Sequence, residues 1–175
     1  MTRCFLCLLL LLLAGFPAAA QPRQADWLLQ NGRIYDGTGN GWYTGDIAIR
    51  GDAIVALGPL RGWTARRTLD LNGLPVAPGF VDTHSHSRGG IFDVPSAENC
   101  IRQGVTTVIE GPDGGSPIPL APFLDRVKAT KVAVNFGMLA GHGSIRSQVM
   151  GTENRKARAD EVEKWRMQAE AEGVV

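Results

Sequence analysis

Beyond Gly73 the chain alternates three times between a short extended run and a helical stretch, and few patterns narrow a fold more. Leu74 to Val81 is apolar and interrupted by Pro75 and Pro78. A helix is expected from about Pro95 to Gln103, with Ser96 as N-cap and Gly104 as its stop. Val105 to Ile109 is a β-branched run with the composition of a buried parallel strand. A second helix is expected over Ala121 to Thr130 and a third strand over Lys131 to Phe136. The last helix spans Ala159 to Glu172, with Val162, Trp165 and Ala169 on one face at helical spacing. Gly173 suits its C-terminal stop, and Val174-Val175 reads as the opening of a fourth strand. Strand followed by helix in repeated order is the signature of βα units on a parallel sheet, hence an α/β fold.

The stretch from Trp27 to about Asp70 follows a different grammar, of short strands and tight turns. Asp46 to Arg50 alternates at period two, Ala53 to Leu57 does so more loosely, and Gly51-Asp52 between them reads as a hairpin turn. Gly37 to Gly41 is a loop by composition. A small antiparallel β unit is therefore expected over residues 21–73, ahead of an α/β unit over residues 74–175.

The first twenty residues belong to neither. Arg3 supplies a positive charge, an apolar run from Phe5 to Phe16 follows, and Pro17 and Ala18-Ala19-Ala20 close the segment. This is the anatomy of a secretory signal cut near Ala20. The apolar run is shorter than the roughly 18–20 residues that span a bilayer, so no stable membrane anchor is expected. Removing Arg3 leaves equal numbers of basic and acidic residues, with no basic block to favour nucleic acid. Cys4 and Cys7 leave with the signal, so Cys100 has no partner for an internal disulfide. A secreted or periplasmic protein fits this pattern, with Cys100 as a small buried hydrophobe.

The chemistry concentrates at Asp82-Thr83-His84-Ser85-His86. Residues i and i+2 of a strand share a face, so His84 and His86 can present two imidazoles side by side. Two imidazoles supply half of a tetrahedral zinc shell. Asp82 is expected to support them, because a metal-bound histidine usually donates its other ring N–H to an acceptor. Pro112-Asp113-Gly114, just past the next strand, reads as an ordinary turn. His142, between Gly141 and Gly143, and Arg146 are candidate substrate contacts: glycines let backbone approach a ligand closely, and a guanidinium fork suits a carboxylate.

The run Ala77-Pro78-Gly79-Phe80-Val81-Asp82-Thr83-His84-Ser85-His86 resembles the first-strand motif of the amidohydrolase superfamily. Asn31 to Gly39, Gly45 to Asp52, Gly104 to Val108 and Gly137 to Gly151 extend the resemblance to the N-acyl-D-amino-acid deacylases, or D-aminoacylases. It implies a (β/α)8 TIM barrel beside a small β-sandwich, with one or two divalent metal ions, zinc foremost, at the barrel mouth. It also implies amide-bond hydrolysis on a small N-acyl amino acid. His84 and His86 match the first-strand ligands. Many D-aminoacylases carry a metal-binding cysteine in a Gly-Asn-Cys-Gly turn; here the turn is Gly111-Pro112-Asp113-Gly114. The resemblance therefore offers Asp113, at the cysteine position, as a carboxylate ligand, with Glu110 at the end of the same strand as its rival and neither as the third reading. A barrel takes about 250 residues, whereas the stretch after Gly73 has room for about three βα units of roughly 30 residues each. The resemblance therefore implies a partial barrel preceded by part of the sandwich, with the catalytic aspartate and further histidine ligands beyond Val175. Taken alone, such a chain is expected to be inactive. A cyclic-amide hydrolase of the same superfamily, of dihydroorotase or hydantoinase type, and a non-catalytic exported metal-binding module are the competing expectations.

Overall fold

The computed structural model describes residues 23–173; the expected signal segment and the expected fourth strand at Val174-Val175 lie outside them. The chain forms two compact units, one running to Pro78 and the other starting at Gly79.

The first unit is one five-stranded sheet: β1 (Gln24–Ile34), β2 (Tyr43–Arg50), β3 (Ala53–Gly58), β4 (Thr64–Asp70) and β5 (Pro75–Val76). β3, β2, β1 and β4 are neighbours in that order, and β5 also pairs with β1. The β2–β3 hairpin is antiparallel, as its alternation predicts. The unit as a whole is mixed, however, because β4 and β5 run parallel to β1 along one edge. The physical reason lies in the connection after β3, which carries the chain across to the far side of β1. Leu60 and Trp63 from that connection pack on the buried cluster of Ala25, Leu28 and Ala48. Burying this apolar face outweighs the simpler meander.

The second unit is a three-stranded parallel sheet of β6 (Phe80–Ser85), β7 (Val105–Glu110) and β8 (Asn135–Met138), in sequential order. Helices α1 (Glu98–Ile101) and α2 (Ala121–Thr130) lie in the two crossovers, and α3 (His142–Met150) and α4 (Ala159–Ala171) follow β8. Three βα units on a parallel sheet make this a partial (β/α)8 barrel. Its core joins Ile91, Ala97, Val108 and Val134, with Cys100, Phe92 and Phe136 packed against them. Cys100 is thus a free, partly buried thiol in the hydrophobic role expected of it.

Several boundaries differ from the sequence reading. α1 is shorter at its N-terminus, because Ala97 adopts a left-handed conformation (φ 44°) instead of continuing a helix from Ser96. That bend buries Ala97 in the core. β8 starts later than Lys131, because Lys131 (φ 55°) closes α2 and the Ala133 N–H bonds Pro95 O outside the sheet ladder. His142 and Arg146 lie on α3, a helix that the sequence reading did not propose. On α4, Ala169 is buried but Val162 is 55% exposed; the buried companion is Glu161. Among the described residues no helix is long and apolar enough to cross a membrane.

Candidate metal centre

β6 delivers His84 from its last turn of pleat, and His86 stands one residue past the strand, at the start of a 3-10 turn over Ser87–Gly89. The β6–β7 register shifts between Asp82 and Ser85. Irregularities of this kind re-aim side chains, and here the two imidazoles come to lie 5.6 Å apart, centroid to centroid, with their planes 39° apart. Asp113 approaches from the turn after β7. Its Oδ1 lies 2.9 Å from His84 Nε2 and its Oδ2 lies 3.1 Å from His86 Nε2. One ligand atom from each of the three residues falls within 4.8 Å of the others. All three side chains are more than half exposed, so the cluster is open on one side.

Asp113 reaches this place because Gly111-Pro112-Asp113-Gly114 is a tight turn, closed by the Gly114 N–H on Gly111 O at 3.0 Å. Proline presets the backbone of such a turn and glycine supplies the positive φ that follows, 83° at Gly114. Turn residue and ligand candidate are therefore the same residue in this chain.

Glu110 goes elsewhere. Along β7 it shares the inward face with Val108, and it is 1% exposed. Its Oε1 accepts the Arg88 backbone N–H at 2.8 Å, and its Oε2 lies 3.9 Å from Arg88 Nε. Asp82 supports the histidines through the main chain: its Oδ1 accepts the His84 backbone N–H at 3.1 Å, where the sequence reading expected a ring N–H.

His142 and Arg146 lie apart from this cluster. His142 is the first residue of α3 and its ring packs on Trp165 of α4, 5.5 Å between centroids. Arg146 donates to Gly151 O (3.1 Å) and Glu153 O (2.5 Å), so its fork ties down the α3–α4 connection. The two residues share a cleft of about 290 Å³ with Val149, Val162 and Trp165. The glycines around His142 permit a close approach of backbone. A methyl group on Gly141 would sit 2.5 Å from Gly114 O, so the close approach they permit is to the Asp113 turn itself. The opposite face of α3 carries Ser144, Ser147 and Gln148, which border an open pocket of about 490 Å³ beside Asp113. These three residues escaped the sequence reading. Their spacing is that of one helical face, a signal that shows only once a helix is placed there.

Within the α3–α4 region the charge on Glu161 is strongly held. Hydrogen bonds from the Arg155 guanidinium (2.7 Å to each oxygen) and from the Arg158 backbone N–H lower its carboxyl to about 2.

Two imidazole nitrogens and a carboxylate are a donor set suited to zinc and its neighbours. No protein-family model matches the chain. It is 34% identical over 168 residues to the D-aminoacylase of Alcaligenes xylosoxydans xylosoxydans, covering 83% of this chain and 35% of that protein. It is 35% identical over 159 residues to the N-acyl-D-aspartate deacylase of the same organism, covering 78% and 32%. Among solved structures it superposes on the N-acyl-D-glutamate deacylase of Bordetella bronchiseptica, solved with zinc and a phosphonate inhibitor, at a TM-score of 0.76. The identity there is 27%, covering 85% of this chain and 36% of that one. The chain thus spans about a third of the length of the relatives it matches.

Proposed function

Because the chain belongs with the D-aminoacylases, the N-acyl-D-amino-acid deacylases of the amidohydrolase superfamily, we propose that His84, His86 and Asp113 are the core of a zinc centre serving amide hydrolysis. The observation that carries this reading is the convergence of three ligand atoms from β6 and the β7 turn. The substrate class we propose is the N-acyl-D-amino acid.

In this role His84 and His86 hold zinc through Nε2 and Asp113 through a carboxylate oxygen. Zinc held there would supply Lewis-acid chemistry, the activation of water and of an amide carbonyl. The residues of this chain do the placing. Asp82 fixes the main chain at His84. The Pro112-Asp113 turn holds the carboxylate opposite both imidazoles. Ser147 and Gln148 face the open pocket beside Asp113, where the polar part of a substrate would lie. We also propose that the protein is exported with cleavage after Ala20.

Zinc titrated calorimetrically into the metal-free protein is expected to bind, and His84→Ala and His86→Ala are each expected to abolish tight binding. A wild-type protein that takes up no zinc overturns the metal reading. In the zinc-loaded protein, calorimetric binding of an N-acetyl-L-amino acid but not of its N-acetyl-D isomer overturns the substrate reading. For export, an envelope-fraction protein that still begins at Met1 sinks the signal assignment, while a start at Gln21 supports it.

A further inference from the structure

We propose that Arg88 and Glu110 form a clamp that sets the separation of His86 and Asp113, so that Glu110 is a positioning residue for the metal centre and not one of its ligands. The inference rests on the metal reading above. Arg88 stands two residues after His86. Its backbone N–H reaches Glu110 Oε1 (2.8 Å), on the near side of the turn that carries Asp113. Its Nη1 reaches Gly115 O (2.5 Å), on the far side of the same turn. One residue therefore brackets the Gly111–Gly114 turn, through its backbone N–H at one end and its guanidinium at the other, and the segment bearing His86 is tied to the turn at two points.

Glu110 is the fixed end of the clamp. It closes β7, where its own carbonyl accepts the Leu139 N–H at 2.9 Å, and its side chain is 1% exposed. A buried carboxylate is costly unless paired and hydrogen-bonded. Here one oxygen takes the Arg88 N–H and the other faces the guanidinium. Both oxygens are turned to Arg88, and the cluster of potential ligand atoms comprises His84, His86 and Asp113 without Glu110. Glu110 holds the main chain of Arg88 and the Arg88 guanidinium holds Gly115, and together these contacts set the ligands' spacing.

The test compares wild type with Glu110→Gln, which keeps an acceptor for the Arg88 N–H without the charge. A second variant, Arg88→Met with Glu110→Gln, removes both charges and leaves no unpaired ion buried. Each is titrated with zinc and, separately, with cobalt(II), whose absorption spectrum reports ligand geometry; circular dichroism checks the fold. Loss of groups that orient metal ligands typically weakens binding about 10–100-fold. The double variant is expected to lose zinc affinity in that range and to show an altered cobalt spectrum, with Glu110→Gln intermediate. Arg88→Lys, which keeps the charge and one donor group, is expected to recover part of the affinity. A double variant with wild-type circular dichroism, zinc affinity and cobalt spectrum overturns the clamp. Failure of the wild type itself to bind zinc overturns the metal reading beneath it, so the two failures are distinguishable.

Discussion

Gly141→Ala is expected to damage the second unit severely, and the structure gives the size of the effect. Gly141 has φ −68° and ψ 114°, a conformation any residue adopts, so the substitution adds no backbone strain. The cost is contact. The added methyl group would lie 2.5 Å from Gly114 O, 2.7 Å from Gly114 C and 2.8 Å from Ser116 N, all backbone atoms that cannot rotate aside. Overpacking of this kind costs about 1–3 kcal/mol. Relief by separation would stretch the Gly141 N–H bond to Ser116 Oγ (2.7 Å) and the Ser144 N–H bond to Gly114 O (3.0 Å), adding about 1 kcal/mol. A loss of roughly 2–4 kcal/mol, at about 4–8 °C per kcal/mol for a unit of this size, lowers its melting temperature by on the order of 10–30 °C. The assay is a thermal melt followed by circular dichroism, with Gly89→Ala as control. Gly89 lies in the same unit, and a methyl group there meets nothing within 4 Å. If Gly141→Ala melts together with wild type and control, the steric argument is refuted. The zinc affinity of the variant should fall alongside its stability, because the displaced backbone is that of the Asp113 turn.

Two further outcomes follow from the same geometry. Glu161, held down to about 2 chiefly by Arg155, stabilises the fold fully above its ordinary value of 4.5, and this contribution is lost as pH falls through about 2. Glu161→Gln should therefore melt below wild type at neutral pH, with the gap closing between pH 4.5 and pH 2; a gap independent of pH would contradict the assignment. Asp113→Cys places a thiolate at the turn tip, and its cobalt(II) complex should gain a sulfur-to-cobalt charge-transfer band in the near ultraviolet. Cobalt bound without that band would mean residue 113 is not a ligand.

The histidine pair was legible because period-two geometry is local: Asp82, His84 and His86 need only a strand end to share a face. The parallel sheet was legible for a similar reason, since Val105 to Ile109 carries its burial in its composition. The choice between Glu110 and Asp113 was not. Both stand at the same strand end, and they part only because Glu110 continues the inward face of Val108 while the Pro112-Asp113 turn folds back toward His84. Glu110 accepts the backbone N–H of Arg88, 22 residues earlier, and no local pattern connects the two. The helix that carries His142 and Arg146 was hidden because Gly-His-Gly is poor helix material, and the close approach of Gly141 to Gly114 is a contact between segments far apart in sequence. The parallel pairing of β4 with β1 was equally hidden, since nothing in Thr64 to Asp70 records the direction of a distant neighbour.

The origin of the three ligand candidates in β6 and the β7 turn has a consequence for chain entropy. An ion joining His86 to Asp113 ties together two points separated by the whole of the first crossover. In the unfolded chain the same tie would forbid most of that crossover's conformations, as a covalent cross-link does. The ion then acts as a removable staple for the β6–β7 pair, and chelation should loosen these two strands before it disturbs the first unit.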